Sequence, residues 1–91
     1  MTYAIMMSAG GGAATPGRVD LDPDYISFSD GRKVRYRDLL DIYLERRPNE
    51  PPALVLEPRT GDRLKLVSLE GIGALHELAE ELFDARCRVA A

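Results

Sequence analysis

Residues 30–45 read Asp30-Gly31-Arg32-Lys33-Val34-Arg35-Tyr36-Arg37-Asp38-Leu39-Leu40-Asp41-Ile42-Tyr43-Leu44-Glu45, and the reading of their second half decides the fold. The first half is a return strand. Tyr25–Ser29 alternates with Ile26 and Phe28 on one face, and Asp30-Gly31 suits the two positive φ values of a type I′ turn. Arg32–Arg37 then runs back, with Val34 and Tyr36 turned inward between Lys33, Arg35 and Arg37. Residues 38–47 fit two patterns. With period two, Leu40, Ile42 and Leu44 share a face opposite Asp41, Tyr43 and Glu45, which is a strand. With period 3.6, Leu39, Leu40, Tyr43 and Leu44 form a stripe behind an Asp38 N-cap, which is a helix. Pro48-Asn49-Glu50-Pro51-Pro52 ends the element under either reading.

Working outward, Ala53–Glu57 and Arg63–Val67 flank the turn-rich loop Pro58–Asp62. Leu54 and Leu56 alternate on one side of this second hairpin, and Leu64 and Leu66 on the other. From Gly71 to Cys87 the period becomes helical. Ile72, Leu75, Leu78, Ala79, Leu82 and Phe83 fall within an arc of about 140°, with Glu77, Glu80, Glu81, Asp84 and Arg88 opposite. Upstream, Val19 and Leu21 alternate with Asp20 and Asp22 before an Asp22-Pro23-Asp24 turn. Thr2–Met7 reads equally as a strand or a disordered start, and Ser8–Ala14 as a flexible linker of small residues. Every charged residue lies from Arg18 onward. The expected organisation is therefore an N-terminal segment 1–17, one domain 18–87 with its helix at 71–87, and a tail 88–91.

Composition narrows the function. The 91 residues are 45% apolar and 30% charged, which describes a globular chain with room for one core. A net charge of −3 argues against nucleic acid, whose binders use a strong positive field. One cysteine and one histidine exclude a Cys/His zinc cluster within one chain, and a lone cysteine gives no internal disulfide. The apolar run Tyr3–Met7 has no basic residue before it and falls short of the ~7–15 residues of a signal peptide core. No run approaches the ~18 residues of a membrane span. The expectations are a cytoplasmic protein, no membrane insertion and no cofactor.

Several residue groups invite a chemical reading. Asp20, Asp22 and Asp24 have the spacing of a calcium loop. However, Tyr25 stands where that loop needs glycine, and Gly31 where it needs glutamate. Gly71-Ile72-Gly73 opens a helix as phosphate loops do, but His76 occupies the place of the third glycine and no Gly-Lys-Ser/Thr follows. His76 and Cys87 stand about 16 Å apart along one helix, too far for a nucleophile–base pair. Lys33, Arg35 and Arg37 form one basic stripe, and Arg63 and Lys65 another. With the hairpins edge to edge these five side chains would hold an anion or an acidic partner; otherwise they are a solvated face that discourages edge aggregation. The acids Glu77, Glu80, Glu81 and Asp84 make an opposite patch that could pair with the basic one between subunits.

The run from Asp30 to Leu39, continuing through Ile42 and Leu44, together with a later hairpin and one closing helix, resembles the pleckstrin-homology-like superfold in its small bacterial form. The resemblance covers residues 18–86 and implies that residues 40–46 are a strand. Counting Thr2–Met7, it implies seven strands and a helix. The expected fold is α+β: antiparallel strands in a partly open barrel or two-sheet sandwich, capped by one C-terminal amphipathic helix. Lipid-binding members carry a basic loop between their first two strands. Here Ser8–Arg18 is nearly uncharged, so phosphoinositide binding is not expected. The expected function is a non-enzymatic interaction module that self-associates or binds a protein or peptide along an exposed strand edge. The alternative is a small-anion or nucleotide-binding regulator using the basic strand face. A helix at 38–47 would remove the resemblance.

Overall fold

The computed structural model describes residues 2–90. Seven strands and one helix follow in the order β1 Thr2–Ala9, β2 Thr15–Leu21, β3 Tyr25–Phe28, β4 Lys33–Arg35, β5 Leu39–Glu45, β6 Ala53–Pro58, β7 Leu64–Ser68 and α1 Ile72–Ala90, with a 3-10 turn at Tyr36–Asp38. All strands belong to one antiparallel sheet ordered β4-β3-β2-β1-β7-β6-β5, curled into an open half-barrel that α1 caps. The barrel form of the expected α+β class holds, and a two-sheet sandwich is not formed. Among the described residues, no helix is long and apolar enough to cross a membrane.

Thr2–Ala9 is the middle strand of the sheet. It pairs with β2 from Thr2↔Asp20 to Met7↔Thr15, and with β7 from Ile5↔Ser68 to Ala9↔Leu64. Tyr3 and Ile5 turn into the core while their neighbours Ala4 and Met6 do not. The linker reading of 8–14 is corrected. Ser8 and Ala9 are strand residues, and the Gly10 N–H continues the ladder to the Arg63 carbonyl at 2.9 Å. Gly10 and Gly11 then reverse the chain at φ 58° and 83°, values that a side chain would disfavour. Small residues look like a tether because they lack apolar area, yet ladder bonds come from the backbone and need no side chain.

The β3–β4 hairpin forms by a different turn from the type I′ expected. Its loop is Ser29-Asp30-Gly31, with only Gly31 at positive φ, 96°. The Gly31 N–H donates to the Phe28 carbonyl, the Phe28 N–H to the Arg32 carbonyl, and the Asp30 carboxylate accepts from the Arg32 N–H. The extra loop residue sets the register. Val34 falls opposite Ile26, so both point inward, where a two-residue loop would have set Val34 opposite Ser27. The return strand is also shorter than expected. Tyr36 leaves it for the 3-10 turn and is fully buried, its N–H donating to the Asp24 carbonyl and its hydroxyl to the Asp22 carbonyl at 2.6 Å.

Residues 39–45 are a strand, so the helix reading fails, but the expected inward triplet does not hold. A bulge between Leu39 and Asp41 adds one residue opposite β6. Leu39 and Ile42 therefore both face the core, while Leu40 is 51% exposed and Leu44 is exposed at the strand's end. In β6 the run Ala53–Leu56 is buried on both faces. Leu54 and Leu56 meet the core; Val55 lies between Tyr43 and Lys65 on the outer face, where long side chains cover it.

The helix runs past Cys87 to Ala90, so residues 88–90 are not a tail; Met1 and Ala91 lie outside the described residues. Its buried stripe is Leu75, Leu78, Ala79, Leu82 and Ala85, and the expected inward residues Ile72 and Phe83 are exposed. Both sit just past Ala79 on the helical wheel. The helix is rolled the other way, toward Ala85, a small residue that lets it come close to the corner holding Tyr36.

Candidate functional site

An open sheet has two edges, and here they are β4 and β5. Hydrogen bonds flank β4 at both ends of its pairing, from the Phe28 N–H to the Arg32 carbonyl and from the Tyr36 N–H to the Asp24 carbonyl. Bonded pairs alternate along an antiparallel ladder, so Ile26–Val34 is the bonded pair between them. The main-chain N–H and C=O of Lys33 and the N–H of Arg35 consequently point away from β3, along the outer edge. The Arg35 carbonyl instead caps the 3-10 turn and takes its first hydrogen bond. The outward groups border an open groove of about 680 Å³. Its β4 wall carries Tyr25, Arg32, Lys33, Val34 and Arg35. Its far wall is the β6–β7 loop, with Pro58, Thr60, Gly61, Asp62 and Leu64, and Asp38 closes one end.

The five basic residues singled out in the sequence do not form one patch. Lys33 and Arg35 line the groove, joined by Arg32, while Arg37 is exposed on the 3-10 turn. Lys33 is held over the Tyr25 ring, 5.0 Å from its centre. Arg63 and Lys65 lie three strands away from β3 on the outer face of β5–β7, already paired. Arg63 meets Glu57 at 3.1 Å and Lys65 meets Glu45 at 3.5 Å, with Arg47 also on Glu45 at 2.7 Å. Partial loss of water pulls the Glu45 carboxyl upward, but Arg47 and Lys65 outweigh it and hold it below its usual range. Among the described residues, Arg32, Lys33, Arg35 and Arg37 have no such carboxylate partner. The groove's far wall was missed from sequence because Pro58–Asp62 reads only as a turn; nothing local shows which strand it will face.

A second groove, about 560 Å³, lies between the β2–β3 turn and α1, lined by Asp22, Tyr36, Glu81, Asp84 and Arg88 among others. Burial, then the charge of Asp22, pushes the Tyr36 hydroxyl up to about 12. Tyr3 is shifted further in the same direction, by burial and by its hydroxyl donating to Glu81 at 2.7 Å. Both phenols thus stay protonated and serve as fixed donors. Of the three aspartates of the calcium-like spacing, two have their carboxylates engaged, Asp20 accepting from the Thr2 hydroxyl and Asp22 from the Ser27 hydroxyl, while Asp24 accepts the Tyr36 N–H through its main-chain carbonyl. No cluster of three metal-ligating side chains occurs among the described residues. His76 and Cys87 are both exposed on α1. Gly71, at φ 99°, makes the turn into the helix and offers its carbonyl to the Leu75 N–H.

The β5 edge is different. The Arg86 guanidinium reaches across from α1 to donate to the Leu40 carbonyl at 2.6 Å, and the Asp41 carboxylate accepts from the Ile42 N–H. Two of its backbone groups are thereby occupied from within the chain. Comparison with known protein families and with curated proteins finds no match to this chain.

Proposed function

We propose that this chain is a non-enzymatic interaction module of pleckstrin-homology-like architecture that binds an extended protein or peptide segment along β4. The strand order, with β1 shared between the two halves of a curled sheet and a helix over it, supports the architecture. The observation that carries the function is the outward N–H and C=O of Lys33 and the outward N–H of Arg35, facing an open groove. An unpaired edge beside a groove is the geometry of strand addition. The test is an amide-resolved NMR titration with capped extended heptapeptides of varied charge. Shifts gathered at 33–35 and 58–64 are expected; shifts elsewhere, or none with any peptide, overturn the reading.

Self-association is a second reading, favoured by the exposed apolar side chains Leu40, Leu44 and Phe83 beside the β5 edge. Light scattering during size exclusion tests it, and a single monomeric species at millimolar protein refutes it. The anion-binding alternative rests on Arg32, Lys33 and Arg35. Asp38 and Asp62 border the same groove and oppose a compact phosphate there. Titration with inorganic phosphate and nucleotides separates it from peptide binding.

A further inference from the structure

Resting on the edge-binding reading, the geometry of β4 points to the chemistry of the segment it takes. We propose an extended segment of acidic–apolar–acidic pattern, lying antiparallel to Lys33–Arg35. Because the N–H and C=O of Lys33 and the N–H of Arg35 face outward, the residue laid opposite Lys33 would exchange both bonds of a bonded pair, and the residue opposite Arg35 would accept one. Side chains of directly opposed residues share a face, so those two residues project beside the Lys33 ammonium and the Arg35 guanidinium. Both cations lack a carboxylate partner among the described residues, and Tyr25 already holds Lys33 in place. Carboxylates two residues apart complement them. The residue between them turns to the Val34 side, where Leu64 and Pro58 offer apolar surface.

The same register excludes a second copy at this edge. Two β4 strands paired about Val34 would set Lys33 opposite the partner's Arg35, and Arg35 opposite the partner's Lys33. Like charges directly opposed destabilise a ladder. The edge thus repels itself and attracts acids. A free phosphate lacks the backbone that the edge bonds.

The experiment is fluorescence anisotropy on the full chain, with labelled, capped heptapeptides Thr-Thr-Glu-Val-Glu-Thr-Thr and Thr-Thr-Gln-Val-Gln-Thr-Thr. The glutamate peptide is expected to bind about tenfold more tightly at low salt, a preference that shrinks as salt rises. The double substitution K33E/R35E is expected to reverse the preference toward a Lys-Val-Lys peptide. N-methylation at the second glutamate, which lies opposite Lys33 and donates to its carbonyl, should abolish binding, while N-methylation of the central valine, whose amide faces away, should not. Equal binding of the two peptides overturns the charge pattern but leaves the edge reading standing. Binding that ignores glutamate N-methylation overturns strand addition itself. If neither peptide binds, this inference falls, and the edge reading then depends on the wider peptide titration.

Discussion

The two edges of one sheet have been finished in opposite ways. At β5 the chain supplies its own partners: Arg86 on the Leu40 carbonyl, Asp41 on the Ile42 N–H, and a bulge that bends the strand. At β4 the strand is only three residues long and carries two cations, and its outward backbone meets a groove. Shortness and positive charge are themselves protections against edge-to-edge aggregation. The difference is that β5 is engaged in part by contacts from its own chain, whereas β4 is guarded only by its length and its like charges. An edge guarded by charge remains available to a partner of the opposite charge.

The largest effect is expected at the corner joining the two edges. Tyr36→Ala removes a fully buried ring and should destabilise the fold by about 3–5 kcal/mol, read by urea or thermal unfolding. Tyr36→Phe keeps the ring and loses the bond to the Asp22 carbonyl, about 1 kcal/mol. If both substitutions cost the same, the corner is held by that bond rather than by packing. Next comes alkaline pH. The Tyr36 hydroxyl titrates at about 12 in the folded chain against 10.0 otherwise, so the unfolded chain releases its proton first. Its contribution is complete below pH 10 and lost as pH rises toward 12. Tyr3 acts in the same direction. A melting temperature flat through that range, or unchanged by Tyr36→Phe there, contradicts the assignment.

Smaller effects compare the edges directly. Arg86→Ala should cost roughly 0.5–1.5 kcal/mol and speed hydrogen exchange in β5 while leaving β4 alone. Equal acceleration at both edges would mean that the guanidinium is no seal. Arg35→Pro should change stability least, within about 1 kcal/mol. Arg35 sits at φ −71°, which proline adopts, and its N–H faces the open edge. That variant should nevertheless lose peptide binding well beyond the loss in Arg35→Ala, which removes only the charge. A cost of several kcal/mol for Arg35→Pro would show that β4 is not a free edge.

Legibility in the sequence followed the reach of each signal. The hairpins at 25–35 and 53–67 could be read because alternation and turn residues are local, as could the helix with Leu75, Leu78 and Leu82 on its inner face. The β3–β4 register could not, because Asp30-Gly31 suits either a two- or a three-residue loop and the choice depends on Val34 reaching the core. Leu40 was misplaced since a bulge is invisible to period two, and Leu44, still in register with Ile42, is exposed because it lies at the strand's end. Phe83 and Ile72 were misplaced since the roll of a helix depends on the surface beneath it. Of the site, Lys33 and Arg35 were legible as a stripe. The grouping with Arg63 and Lys65 was not, because β1 and β2 separate the two hairpins in the sheet.

By itself, the sequence determined the class: short alternating strands, one amphipathic helix, and a chain with neither the ligand set of a zinc site nor the charge of a nucleic-acid binder. Those properties reside in composition and in spacings of a few residues. Tertiary structure decided that Thr2–Ala9 lies at the centre of the sheet and that β4 and β5 are its edges. It also decided which cations are paired. Strand order joins residues some sixty positions apart, as Ile5 and Ser68 are joined, and no local pattern encodes it. Burial of the sheet's inner face beneath α1 chose that order, and with it the edge left open.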